Sequence, residues 1–183
     1  TMYSAMAAVS ECMADHKKAA AYLCSNIDYT LQAFENDTAR LGKAYCSDGK
    51  YEDAVTVYET FFEVMRVIFK DEIPPSYHDF DSGDCYLLLA EAYIAAGKTS
   101  KAMDAVEKSV MYYIDLYNTY TEENILQRSH IKSPVVRETE LVTSLPKKII
   151  KQKLLYKLSA PGIQALNREA RFLELSETVN NLS

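Results

Sequence analysis

Apolar positions recur along most of this chain at spacings of three and four, the period of a helix buried on one side. Met2, Met6, Val9 and Met13 make the first stripe, and Ala20, Leu23, Ile27, Leu31 and Phe34 make the second. The pattern predicts helix over residues 1–34, with Asp15-His16 and Ser25-Asn26 as the places to expect an interruption. Leu41, Ala44 and Tyr45 form a further helical face. Ser47-Asp48-Gly49 ends it, because glycine readily takes the left-handed conformation after a helix C-terminus. Ala54, Tyr58, Phe61, Met65, Ile68 and Phe69 then line another helix, which Pro74-Pro75 stops. Helix, short glycine turn, helix is an αα-hairpin. A polar loop through His78, Asp79, Asp81, Ser82, Gly83 and Asp84 follows, and the unit returns. Tyr86, Leu89, Ala90 and Tyr93 form its first helix, Gly97-Lys98 its turn, and Ala102, Val106, Val110, Tyr113 and Tyr117 its second helix.

The two hairpins align at a constant offset of 48 residues: Leu41 with Leu89, Gly42 with Ala90, Tyr45 with Tyr93, Gly49 with Gly97, Lys50 with Lys98, Ala54 with Ala102. This is an internal repeat with an insertion. In residues 41–61, Leu41, Gly42, Tyr45, Gly49, Tyr51, Ala54 and Tyr58 resemble the tetratricopeptide repeat, a helix-turn-helix unit of 34 residues. Residues 89–106 resemble it through Leu89, Ala90, Tyr93, Gly97 and Ala102, with Thr99 and Val106 in place of two aromatics. The opening Trp of the family pattern is absent from both units. The resemblance implies an all-α, tetratricopeptide-like α-solenoid of antiparallel hairpins with a concave face for a peptide or protein partner.

Residues 118–145 are polar and broken by Pro134, which predicts a loop or short irregular helices. Pro146 opens a helix with Ile150, Leu154 and Leu158 on one face, ended by Pro161-Gly162. The remaining residues read as a closing helix with Phe172 and Leu175 inward, a cap for the stack. The expected organisation is one domain over 1–183: degenerate N-terminal helices at 1–34, repeats at 35–69 and 83–117, and a C-terminal cap at 146–183. The order of segments also resembles the tetratricopeptide regions that follow a helix-turn-helix DNA-binding domain in bacterial transcription regulators. Arg168, Arg171 and Phe172 match the family's Arg-Asp-Pro-Arg-Phe-like stretch, with Glu169 and Ala170 replacing Asp-Pro. That resemblance implies a regulatory or dimerisation domain whose DNA-binding part is absent from this chain. The opening Thr1-Met2, in place of a start Met, agrees with an origin in something longer. The alternative expectation is a freestanding tetratricopeptide adaptor or a secretion-type chaperone.

Composition narrows these readings. Only 5 Gly and 5 Pro are present, too few for the many turns of an all-β fold. Twenty basic residues stand against 26 acidic ones, a net charge of −6, so direct nucleic-acid binding by this segment is not expected. Lys147, Lys148, Lys151, Lys153 and Lys157 are nevertheless a run without an acid among them, so the rest of the chain carries −11. A solvated helix face is the plain expectation for this run; contact with DNA phosphates or an acidic surface is the sharper one. No apolar stretch is long enough to span a bilayer, so no membrane partner is expected. Cys12, Cys24, Cys46 and Cys85 form no Cys-x-x-Cys pair, which predicts buried reduced thiols and a cytoplasmic location.

Candidate chemistry is sparse. Cys12 and His16 have a chelating spacing but no second pair nearby. His78 sits among acids that lack calcium-loop spacing, and His130 has no partner that sequence supplies. No phosphate loop, nucleophile elbow or zinc-protease motif occurs, so the expectation is no enzyme, no catalytic residue, no metal and no cofactor. Tyr45, Tyr58, Tyr93 and Tyr113 fall on core stripes; Tyr112, Tyr117 and Tyr120 are alternatives for groove lining. In the repeat frame, the first helices offer Asn36, Arg40, Lys43 and Ser47, then Asp84, Leu88, Glu91 and Ala95, to the concave side. Those residues suit a peptide held by its backbone, with an acidic group at Arg40 and Lys43. They do not reproduce the Lys/Asn clamp with which chaperone-binding members of the family take a C-terminal carboxylate.

Overall fold

The computed structural model describes residues 1–69, 76–77, 80–119 and 147–182, and these described residues form seven α-helices. They are α1 (Met2–Cys12), α2 (His16–Ser47), α3 (Tyr51–Phe69), α4 (Ser82–Ala95), α5 (Thr99–Thr119), α6 (Lys147–Leu158) and α7 (Ala170–Asn180). A short 3-10 helix, Ile163–Leu166, lies between α6 and α7. The only strands among the described residues are β1 (Ser76–Tyr77) and β2 (Phe80–Asp81), paired antiparallel. The fold is therefore all-helical apart from this two-residue ribbon. Pro74-Pro75, His78, Asp79, Tyr120, His130 and Pro134 lie outside the described residues, as does nearly all of the loop expected over 118–145.

The two glycine turns are the same object built twice. Gly49 has φ +75° and Gly97 φ +73°, where a Cβ is disfavoured. Around Gly49, the Lys50 N–H donates to Tyr45 O at 2.9 Å and the Ala54 N–H to Lys50 O at 3.1 Å. Around Gly97, Lys98 donates to Tyr93 O at 2.8 Å and Ala102 to Lys98 O at 3.0 Å. The first bond of each pair reaches back five residues, the signature of a Schellman cap. Neighbours in sequence pack as neighbours in space: α1 on α2, α2 on α3, α3 on α4, α4 on α5, with α6 and α7 against α5. Fully buried Ala54, Tyr58, Phe61, Met65, Ala90, Ala102, Val106 and Val110 form the centre. Phe62 stacks on Tyr86 with ring centroids 4.1 Å apart, joining the two hairpins.

One exchange between the repeats has a steric cause. A Cβ built on Gly42 would lie 2.2 Å from the Tyr58 ring, whose hydroxyl donates to Ala39 O at 3.3 Å. An aromatic at 58 thus requires glycine at 42. The equivalent pair in the second unit is Ala90 and Val106, both completely buried. The smaller Val leaves room for the extra methyl.

The N-terminal third departs from expectation. The break falls at Met13–Asp15, where Ala14 has φ 57° and the Asp15 carboxylate caps α2 by accepting from the Lys18 N–H at 3.1 Å. Ser25-Asn26 does not interrupt the helix: α2 runs 32 residues, straight through the boundary expected between 34 and 35. Its central buried face is Leu31, Glu35, Thr38 and Gly42; of the apolar stripe Leu31 is buried and Ile27 partly so, while Leu23 and Phe34 lie outside that face. Leu41 is consequently 46% exposed, whereas Leu89, its counterpart, is 6% exposed. The helix carrying Leu89 packs against α2, α3 and α5, whereas Leu41 lies on a flank of α2 turned away from its buried face. Met2, Met6, Val9 and Met13 are also turned outward rather than into the core. All four cysteines are free, but only Cys85 is buried; Cys12 is exposed, because α1 offers its buried face through Ala7 and Ser10.

Towards the C-terminus, Ile150, Leu154, Leu158, Phe172 and Val179 are buried, with Leu175 partly so. The tail is not one helix: the 3-10 turn and α7 are separated at Asn167–Glu169.

Candidate peptide-binding cleft

The repeat frame places residues of α2 and α4 on one side of the molecule, and α6 closes over that side. Asp84, in the first turn of α4, is half-buried and accepts from three directions. Lys157 Nζ lies 2.7 Å and Lys153 Nζ 3.7 Å from its Oδ2, and the Tyr113 hydroxyl donates to its Oδ1. Lys153 also stands 5.5 Å from the Tyr113 ring centroid. Lys151 Nζ donates to Asn180 O at 2.8 Å, the last carbonyl of α7, and to Leu182 O just beyond the helix. Lys147 lies over Tyr117 at 5.0 Å. Four of the five lysines of the basic run therefore have partners within the chain, and the run fastens α6 to α4, α5 and α7.

What α6 leaves open is a cleft of about 300 Å³ lined by Lys43, Asp84, Leu87, Leu88, Glu91, Tyr156, Lys157, Ala160 and Ile163. Lys43 is exposed on the α2 wall; Glu91 is half-buried on α4. Gly162 lets Glu91 lie close beneath the chain: a Cβ there would be 3.1 Å from Glu91 Oε1. Burial pushes the Glu91 carboxyl above its ordinary range, and Lys43 and Lys157 partly offset that. Neither Lys43 nor Glu91 has a hydrogen bond or ion pair among the described residues. A cation and a carboxylate thus face one cleft with their hydrogen-bonding capacity unspent, over an apolar floor of Leu87, Leu88 and Ile163. Such a site can take a backbone N–H at Glu91, a carbonyl or carboxylate at Lys43, and an apolar side chain between them.

Of the residues expected on the concave side, Lys43, Asp84, Leu88 and Glu91 line this cleft. Asn36, Arg40 and Ser47 are exposed elsewhere on α2, and Arg40 pairs with Asp37 at 3.7 Å. Ala95 borders a separate shallow cleft with Gly49, Lys50 and Tyr51. Tyr156, Lys157, Ala160 and Ile163 were outside the repeat frame, which ends with α5. The signal that points to them is the charge run itself, a lysine-rich helix in a chain whose second repeat presents the acids Asp84 and Glu91 on its first helix.

Two further features belong to the scaffold. The Tyr93 hydroxyl donates to Glu59, and Lys101 lies 3.4 Å from the same carboxylate; these contacts hold Glu59 below the ordinary carboxylate range. Glu35 is 1% exposed, its Oε2 finds no donor among the described residues, and burial raises its pKa to about 8. Among the described residues no three His, Cys, Asp or Glu side chains are grouped to hold a metal, and no helix is long and apolar enough to cross a membrane. No protein-family model, curated protein or solved structure matches the chain.

Proposed function

We propose that this chain is a protein-interaction module, a short stack of tetratricopeptide-like hairpins that holds an extended peptide in the cleft between α2, α4 and α6. The observation that carries the reading is the pair Lys43 and Glu91, which share an apolar-floored cleft without a direct hydrogen bond or ion-pair contact while the neighbouring Asp84 is fully engaged. Buried or half-buried polar groups normally find partners, and a peptide backbone supplies both kinds. The setting we propose is the regulatory segment of a bacterial helix-turn-helix transcription regulator, acting in the cytoplasm. Its support is the order of segments, two hairpins and a leucine-rich closing segment. A freestanding adaptor is the competing setting. The coding sequence upstream of Thr1 separates them, since a regulator needs a helix-turn-helix domain there.

The binding reading is tested with a library of random linear peptides displayed on phage and selected against the folded chain. Enriched peptides are then titrated by calorimetry into wild type, Glu91→Gln and Leu88→Asp. Affinity losses of about tenfold or more are expected, from loss of a charge-assisted contact and of the apolar floor. Absence of enrichment, or affinities indifferent to both variants, refutes the cleft as the binding surface.

A further inference from the structure

The outer stripe of α1 is symmetric about its own midpoint. Met2, Met6, Val9 and Met13 follow each other at spacings of four, three and four, the seam spacing of two helices packed side by side. Positions 2 and 13, and positions 6 and 9, are equidistant from a point midway between Ala7 and Ala8. A two-fold axis there sets Met2 against Met13 of a second copy and Met6 against Val9. An isologous contact requires this self-complementarity, and a stripe serving an unrelated partner does not. We propose that two copies of this chain associate through α1, antiparallel, with Met2 on Met13 and Met6 on Val9.

The surface available suits that occupant. The four residues are 68%, 37%, 59% and 75% exposed. That leaves on the order of 450 Å² open on each copy, more than half of the roughly 800 Å² per partner of a standard interface. The stripe borders a groove of about 310 Å³, with Ala5 and Ser10 from α1 and Asp15, Lys18 and Tyr22 from α2. Tyr29, seven residues beyond Tyr22, continues the α2 side and is exposed. Two α1–α2 hairpins face to face extend the contact beyond the stripe and form a four-helix arrangement. Charge permits the approach. Residues 1–18 hold Glu11, Asp15, Lys17 and Lys18, a balance of zero, although the chain as a whole is at −6. Two copies meet at the one end where their like charges do not oppose each other.

The experiment measures mass in solution by sedimentation equilibrium for the full chain. Wild type is expected to dimerise at tens of micromolar. Met6→Lys and Val9→Glu each weaken the dimer at least about tenfold by burying an unpaired charge, while far-ultraviolet circular dichroism and melting stay near wild type because both positions are solvent-facing in one copy. Mixing the two variants in equal amounts restores association, since position 6 of one copy then meets position 9 of the other as Lys against Glu. A monomeric wild type overturns the proposal. A dimer indifferent to both variants places the interface elsewhere, and folded single variants that the mixture does not rescue refute the antiparallel pairing.

Discussion

Glu35 makes the stability of this domain depend on pH in a direction that can be worked out. The carboxyl is 1% exposed on the buried face of α2, between Leu31 and Thr38 along the same stripe. Burial alone moves its pKa from 4.5 to about 8. The folded chain therefore retains a proton that the unfolded chain releases once pH exceeds 4.5. Stability from this site is fully present below about pH 4.5, declines as pH rises, and levels off above about pH 8. Integrated over that window the loss is about 5 kcal/mol, of which about 3 kcal/mol has accrued by pH 7. Against a total stability of about 5–15 kcal/mol this is a large share.

Glu35→Gln removes the titration and keeps the shape. Its advantage over wild type is expected to be small near pH 5 and about 2–4 kcal/mol at pH 8, after allowing for the unpaired amide donors. Urea denaturation of both proteins across pH 5 to 8.5 measures the difference, in which the contributions of other titrating groups cancel. A difference that does not grow with pH, or a variant less stable than wild type at pH 8, refutes the assignment. A carbon-detected NMR titration of the Glu35 side chain reads its pKa directly.

The steric pairing of Gly42 with Tyr58 predicts that Gly42→Ala destabilises the domain by about 1–3 kcal/mol in urea, because the ring must leave its place. Adding Tyr58→Val should recover part of that loss, as the second repeat already does with Ala90 and Val106. Asp84→Asn removes the negative charge that Lys153 and Lys157 pair with; hydrogen exchange should accelerate in α6 by about tenfold or less, with α2 and α3 unchanged. For any peptide selected in the cleft, Lys43→Glu should weaken binding by about 1–3 kcal/mol by calorimetry. Arg40→Glu should not, because Arg40 lies outside the cleft and already faces Asp37.

The hairpins could be read from the chain because their determinants are local. Gly49 and Gly97 each need a left-handed backbone, and the Ala and Tyr positions around them repeat at one offset. The buried face of α2 could not be read in this way. Hydrophobic periodicity points to Phe34 and Leu41, yet the helix buries Glu35, Thr38 and Gly42 one step around. Gly42 is inward because Tyr58 needs the space, a tertiary reason that no local pattern carries. The cleft divides along the same line. Asp84, Leu88 and Glu91 follow from the repeat frame, whereas Tyr156, Lys157 and Ile163 arrive from a segment distant in sequence and joined by charge.

The two ends of the stack are finished differently, and the difference bears on how the chain is used. At the C-terminal end, α7 is tied to α5 by Arg171, which bonds Asp104 at 3.0 Å and Glu107, and the apolar faces of α6 and α7 are buried beneath. The N-terminal end has the reverse finish. Leu41, Phe34 and Leu23 lie along one flank of α2 and are partly exposed, while the α1 stripe, more exposed still, borders a groove with Asp15, Lys18 and Tyr22. Single exposed apolar residues need no explanation, but a four-residue stripe along a groove is a contiguous apolar surface. An array stabilised by nearest-neighbour contacts gains from covering that surface. A second copy related by the two-fold axis through α1 covers the α1 stripe and its groove, whose lining shares no residue with the cleft between α2, α4 and α6, so association and peptide capture need not compete.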